Sequence, residues 1–198
     1  MKRFFAIIAG LLVAALLLGG CGHRLPQQGW VVLFDGRNLD NWERVGSANW
    51  TLVDGAVQAD KLAAKGASYL VSKNSYKDFE LVVEFWASHD SNSGIYFRCA
   101  DRTKITDRSC YEANIYDTRP DPLYGTGAIV HRVMVKPMPK AGGKWNVYEI
   151  VARGPDVTVS LNGAVTAHMR DTELASGPIA LQYGAGVVKF RKVEIKPL

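Results

Sequence analysis

The chain has 198 residues, 47% of them hydrophobic and 22% charged, with three cysteines and a formal net charge of +5. That balance is globular rather than disordered or fibrous, and the excess of base is too mild and too evenly spread to mark a nucleic-acid surface. No G-x-S-x-G elbow, P-loop or dinucleotide fingerprint occurs, which argues against a serine hydrolase or a nucleotide-dependent enzyme.

The chain opens MKRFFAIIAGLLVAALLLGGC. Lys2 and Arg3 followed by an uncharged apolar run predict a signal peptide over 1–20. The run also approaches the ~20 residues of a membrane span, but LGGC (18–21) resembles the bacterial lipobox, which implies cleavage before Cys21 and acylation of that residue. Several acyl chains on one residue anchor a protein firmly. Gly22, where an Asp would favour retention at the inner membrane, points to the outer membrane facing the periplasm. Removal of 1–20 takes away Lys2 and Arg3 and no acid, so the charge of +5 falls by two. Cys21 and a polar tether occupy 21–29, and a single domain is expected over 30–198. Export places Cys99 and Cys110 in an oxidising compartment, where a disulfide closing the loop 100–109 is expected.

The rest reads almost entirely as strand. WVVLF (30–34) ends at Asp35-Gly36, and WTLVDGAVQA (50–59) is a hairpin about Asp54-Gly55. SYLVS (68–72) and the long DFELVVEFWAS (78–88) follow, then 93–99 and 110–117, with a weaker strand over GAIVHRVM (127–134). Segments 144–154 and 156–163 form another hairpin, Asn162-Gly163 turns into 164–169, and 177–184 and 187–197 close the chain. No window sustains a helical period. Short strands at regular spacing with Gly, Asn and Asp turns predict a sandwich or jelly roll.

Period-two alternation assigns Tyr96, Arg98, Glu112, Asn114, Tyr116 and Gln182 to the side away from the core, with Glu84 and Trp86 as further candidates. Planar rings stack on sugar rings, while amide, carboxylate and guanidinium groups hydrogen-bond hydroxyls, so this mixture suits a polyhydroxylated ligand. The bland alternative is a wet sheet face with an Arg–Glu pair of little worth. Asn92 and Ser93 enter the strand from a loop and would sit at its rim. His131 and His168 have no second His, Cys or carboxylate at ligand spacing, so no metal site is expected.

In order along the chain, GWVVLFDGRNLDNW (29–42), KDFELVVEFWAS (77–88), NSGIYFR (92–98), YEANIYD (111–117), KWNVYEI (144–150), VSLNG (159–163), GPIALQ (177–182) and VKFRKVEIK (188–196) together resemble the 3-keto-disaccharide hydrolase family, the 3-keto-glucoside 1,2-lyase/3-keto-2-hydroxy-glucal hydratase domains. The resemblance implies an all-β fold, a concanavalin A-like jelly-roll β-sandwich of two antiparallel sheets, exported and often lipid-anchored. It implies action on glycosides already oxidised at carbon 3, with proton abstraction at carbon 2, elimination of the aglycone and hydration. On that basis Glu112 is the expected base, Arg98 the group facing the developing negative charge, and Asp117 a second acid/base or an orienting partner. Asn92, Tyr96, Asn114 and Gln182 would position hydroxyls. The chain departs from the family pattern at Asn114, where Gln is typical, and at Gly184, where many members carry a His; His131 is the alternative. No cofactor is expected. Some related lyases use a divalent metal, for which Glu112 and Asp117 could supply ligands, without positive support from the residues. The competing readings are a non-catalytic carbohydrate-binding module on the same fold and a structural envelope lipoprotein without a small ligand.

Overall fold

The computed structural model describes residues 28–198. The expected signal peptide, Cys21 and most of the tether lie outside the described residues. Among the described residues thirteen strands form two antiparallel sheets. The larger contains β1 (Val31–Phe34), β3 (Thr51–Val53), β4 (Ala56–Ala59), β6 (Phe79–Ala87), β9 (Trp145–Arg153), β10 (Asp156–Leu161), β11 (Ala164–Arg170) and β13 (Val188–Pro197), ordered β11-β10-β9-β6-β13-β4-β3 with β1 also on β13. The smaller runs β2-β5-β12-β7-β8, from β2 (Trp42–Val45), β5 (Ser68–Tyr76), β12 (Gly177–Tyr183), β7 (Ser93–Phe97) and β8 (Tyr111–Ile115). A short 3-10 turn, Pro122–Tyr124, lies between β8 and β9.

The core lies between the sheets and follows directly from alternation. Phe79, Leu81, Val83 and Phe85 of β6 face Ile95, Phe97, Tyr111, Ala113, Ile115, Ile179 and Leu181 of the smaller sheet, all fully or almost fully buried. Phe79 and Phe97 meet edge to face across the gap at 6.2 Å. Burial of each such side chain contributes about 1.5–3 kcal/mol.

Three expectations need correction. Segment 127–134 is not a strand: Ala128–Val130 lie alongside β8, with Asn114 N–H on Ala128 O and Val130 N–H on Glu112 O, and the chain then turns back at His131, whose φ is +60°. The apolar run is real, but the turn closed by Val133 N–H on Ile129 O at 2.8 Å ends it after three residues. The strand expected over 93–99 stops at Phe97, because Arg98 adopts φ +52°. Finally, β7, β8 and β12 are buried on both faces, so the outer face of the smaller sheet is covered rather than open.

Candidate functional site

On that covered face the strand registers align one polar row. Tyr69 of β5 is opposite Gln182 of β12, and Tyr96 of β7 is opposite Glu112 of β8. Between the two pairs Ala180 of β12 stands opposite both Val71 and Tyr96. Its methyl group is small enough to let the Tyr69 and Tyr96 rings meet across β12, edge to face at 5.3 Å. Gln182 Nε2 donates to the Tyr96 hydroxyl at 3.0 Å, and Tyr96 in turn hydrogen-bonds the Glu112 carboxyl. Gly94 makes room for that carboxyl: a Cβ there would lie 2.6 Å from Glu112 Oε1.

Glu112 is only 4% exposed. Burial pushes its carboxyl up to about 8 from an ordinary 4.5; the negative charge of Asp107 adds to the rise, and the Tyr96 hydrogen bond and the Arg119 charge oppose it. Roughly a tenth of the group is ionised at pH 7. Burial, first, and then the Glu112 charge also raise Tyr96, and burial raises Tyr69 against its hydrogen bonds with Gln182 and Tyr96. Gln182 Nε2 donates to the Tyr96 oxygen, which turns Gln182 Oε1 away, buried and without a hydrogen-bond partner. Asn114 likewise gives Nδ2 to Tyr124 O at 2.7 Å, and its Oδ1 is buried without a partner. Two acceptors on one face thus lack donors, an arrangement that favours a hydroxyl-bearing ligand or water.

The cover comes from two segments. Cys99 and Cys110 are joined in a disulfide, and they and Ile105 pack with Tyr69, Val71, Tyr96 and Ala180. Asp107 from this disulfide-closed loop meets His131 Nε2 at 3.0 Å, tying the loop to the turn that follows Ala128–Val130. His131 therefore borders the site through Asp107.

Arg98 is not in this site. Its φ of +52° swings the side chain out of the alternation on which the expectation rested, and the guanidinium is buried at one end of the sandwich. There it donates to the carbonyls of Lys77, Gly154 and Leu174 and to Asp78 Oδ1 at 3.1 Å, so it joins three loops and cannot meet a charge developing beside Glu112. Asp117 is equally committed: its carboxylate accepts from Thr126 Oγ1 at 2.7 Å and from the amides of Ala141 and Gly142. It pins the 140–143 loop and is not free for acid/base work. Glu84 and Trp86 belong to the outer face of the other sheet, where Glu84 pairs with Arg191 and Trp86 lies under Lys189. Asn92 sits at the rim, its backbone paired with Ala185 and its carbonyl accepting from Gly184 N–H. A Cβ on Gly184 would lie 3.0 Å from Asn92 O, so a larger residue there requires Asn92 to move.

The alternation did not single out Tyr69, Gly94 or Asp107. Tyr69 was legible as an outward residue of 68–72, opposite in phase to Leu70, but only the pairing of β5 with β12 places it beside Gln182. Among the described residues no group of three His, Cys, Asp or Glu side chains could hold a metal ion. Glu112 and Asp117 do not fit a shared one, since the oxygens of Asp117 are taken by Thr126, Ala141 and Gly142.

The fold is a two-sheet β-sandwich of the jelly-roll, lectin-like kind, with a buried acid–phenol–amide row on one sheet. Residues 29–196 match the 3-keto-alpha-glucoside-1,2-lyase-like domain, and the chain belongs to that family. A 3-keto-disaccharide hydrolase of Bacteroides thetaiotaomicron is 27% identical over 103 residues, a match that covers 47% of this chain and 36% of that relative. The crystal structure of a Parabacteroides distasonis protein named "putative glycosyl hydrolase" superposes with a TM-score of 0.75 at 16% identity, over 86% of this chain and 94% of the other. The carbohydrate binding module CBM66 from Bacillus subtilis has the same fold, with a TM-score of 0.57 at 15% identity over 85% and 95% of the two chains.

Proposed function

We propose that the chain cleaves glycosides already oxidised at carbon 3, with Glu112 as the base. The observation that carries this is a carboxyl 4% exposed and pushed up to about 8, hydrogen-bonded to a phenol on the face where the family's strand acid is expected. A ketone at carbon 3 acidifies the proton on carbon 2, and a carboxylate of raised pKa is a strong enough base to take it. The resulting enolate expels the aglycone from carbon 1, and water adds to the double bond. No oxocarbenium ion is needed, so a second carboxylate at glycosidase spacing is not required. Gln182 Oε1 is the free acceptor for a sugar hydroxyl. We further propose that the protein works on the periplasmic side of the outer membrane, held by lipid on Cys21; among the described residues no helix is long and apolar enough to cross a membrane.

The test is turnover of a 3-keto-glucoside by the full-length chain, with hydrogen exchange at carbon 2 followed by NMR in heavy water. Glu112→Gln is expected to lower both by about 100-fold or more while the sugar still binds. Wild-type kcat/KM should rise about tenfold per pH unit and level near 8, since the ionised form is the reactive one. Gly184, standing where many members carry a His, favours a second reading as a sugar-binding module; binding without turnover by the wild type would establish it.

A further inference from the structure

Elimination from a 3-keto-glycoside requires two proton movements, one from carbon 2 and one to the departing oxygen. Glu112 accounts for the first, and an unprotonated alkoxide is a poor leaving group. We propose that Tyr69 is the general acid that protonates the departing aglycone, supplied with its proton from Glu112 through Tyr96. The proposal rests on the reading of Glu112 as the base.

The geometry is that of a short relay. Glu112, Tyr96 and Tyr69 stand in sequence across β8, β7 and β5, and the small Ala180 of the intervening β12 lets the two rings close to 5.3 Å. Gln182, directly opposite Tyr69, donates Nε2 to the Tyr96 oxygen at 3.0 Å and also bonds Tyr69, so one amide fixes both phenols. Tyr96, 3% exposed, is the middle member, its hydroxyl hydrogen-bonded to Glu112 on one side and Tyr69 on the other, and Tyr69 is the more exposed at 7%. Burial keeps both phenols loaded with a proton. Asp107, the other acid near the row, is taken by His131.

The protons balance. Glu112 carboxylate takes the carbon 2 proton as the carbon 1–carbon 2 double bond forms and the carbon 1–oxygen bond breaks. Tyr69 gives its proton to the aglycone oxygen, Tyr96 gives its proton to Tyr69, and the Glu112 carboxyl gives its proton to Tyr96. Glu112 ends as carboxylate, ready to activate water for the hydration step, and nothing is oxidised or reduced.

The experiment compares methyl and 4-nitrophenyl 3-keto-glucosides of the same anomeric configuration with wild type and Tyr69→Phe, which keeps the ring and removes the proton. A nitrophenolate leaves without help and a methoxide does not. The expected result is a fall in kcat/KM for the methyl substrate about 100-fold larger than for the nitrophenyl substrate. Equal falls for both, or none for either, would overturn the relay while leaving Glu112 as the base intact. Wild type without turnover of either substrate would overturn the base assignment and the relay together. Should Tyr69→Phe fail to fold, Tyr96→Phe cuts the same path one step earlier and must show the same dependence on the leaving group.

Discussion

Glu112→Gln also makes a prediction about stability that needs no substrate. Between its ordinary value of 4.5 and its folded value of about 8, the native protein keeps a proton that the unfolded chain releases. Stability from this site is therefore complete below pH 4.5 and declines by about 1.4 kcal/mol per pH unit as pH rises. The loss ends above the folded value, and over the whole window it amounts to about 5 kcal/mol, a large share of the roughly 5–15 kcal/mol by which domains are stable. The amide of the variant has no proton to lose, and its oxygen can still accept from Tyr96. The difference in unfolding free energy, variant minus wild type, should thus start near zero at about pH 4 and rise to about 5 kcal/mol in favour of the variant at about pH 9. Urea titrations at half-unit pH intervals, with equal m-values in the two proteins, measure it. Titrating groups that do not interact with Glu112 cancel in the difference. Parallel stability curves, differing by a constant, would refute the claim that the carboxyl is held neutral by burial.

Arg98→Lys should destabilise the fold by about 3–5 kcal/mol in urea, because one ammonium cannot serve three carbonyls and Asp78 at once; a loss of turnover without a loss of stability would contradict the structural role. Gly94→Ala brings a methyl group to within 2.6 Å of Glu112 Oε1, and the carboxyl, as the flexible partner, must give way. Turnover should fall about tenfold or more, and the thermal midpoint should drop as well, because the buried Glu112 is also crowded at Cγ and Cδ. Replacing Cys99 and Cys110 by Ser removes a bridge between residues 11 apart in sequence and should cost about 3 kcal/mol, read as a lower urea midpoint that added reductant reproduces in the wild type.

Much of this protein was readable from local pattern. Alternation in 78–88 and 110–117 assigns Phe79, Leu81, Val83, Phe85, Tyr111, Ala113 and Ile115 to the core, because a strand's side chains must alternate whatever it later pairs with. The hairpin at Asp54-Gly55 follows from turn chemistry alone, and both residues adopt positive φ. The same rule put Glu112, Tyr96 and Gln182 on the other side.

The rule failed where its premise failed. Alternation holds only while the backbone stays extended, and one left-handed residue, Arg98, removed the guanidinium from the face and made it a tie between loops. The grouping of Tyr69 with Gln182, the methyl gap at Ala180 and the closure of the disulfide loop over the row depend on which strands pair and in what register. Pairing joins segments far apart in the chain: Ser72 of β5 and Ile179 of β12, bonded side chain to backbone, are 107 residues apart. No local propensity encodes that choice; it is set by the total apolar area two sheets can bury together. For residues in extended strand the side of the sheet was thus a property of the chain, whereas the neighbours that give Glu112 its chemistry are a property of the fold.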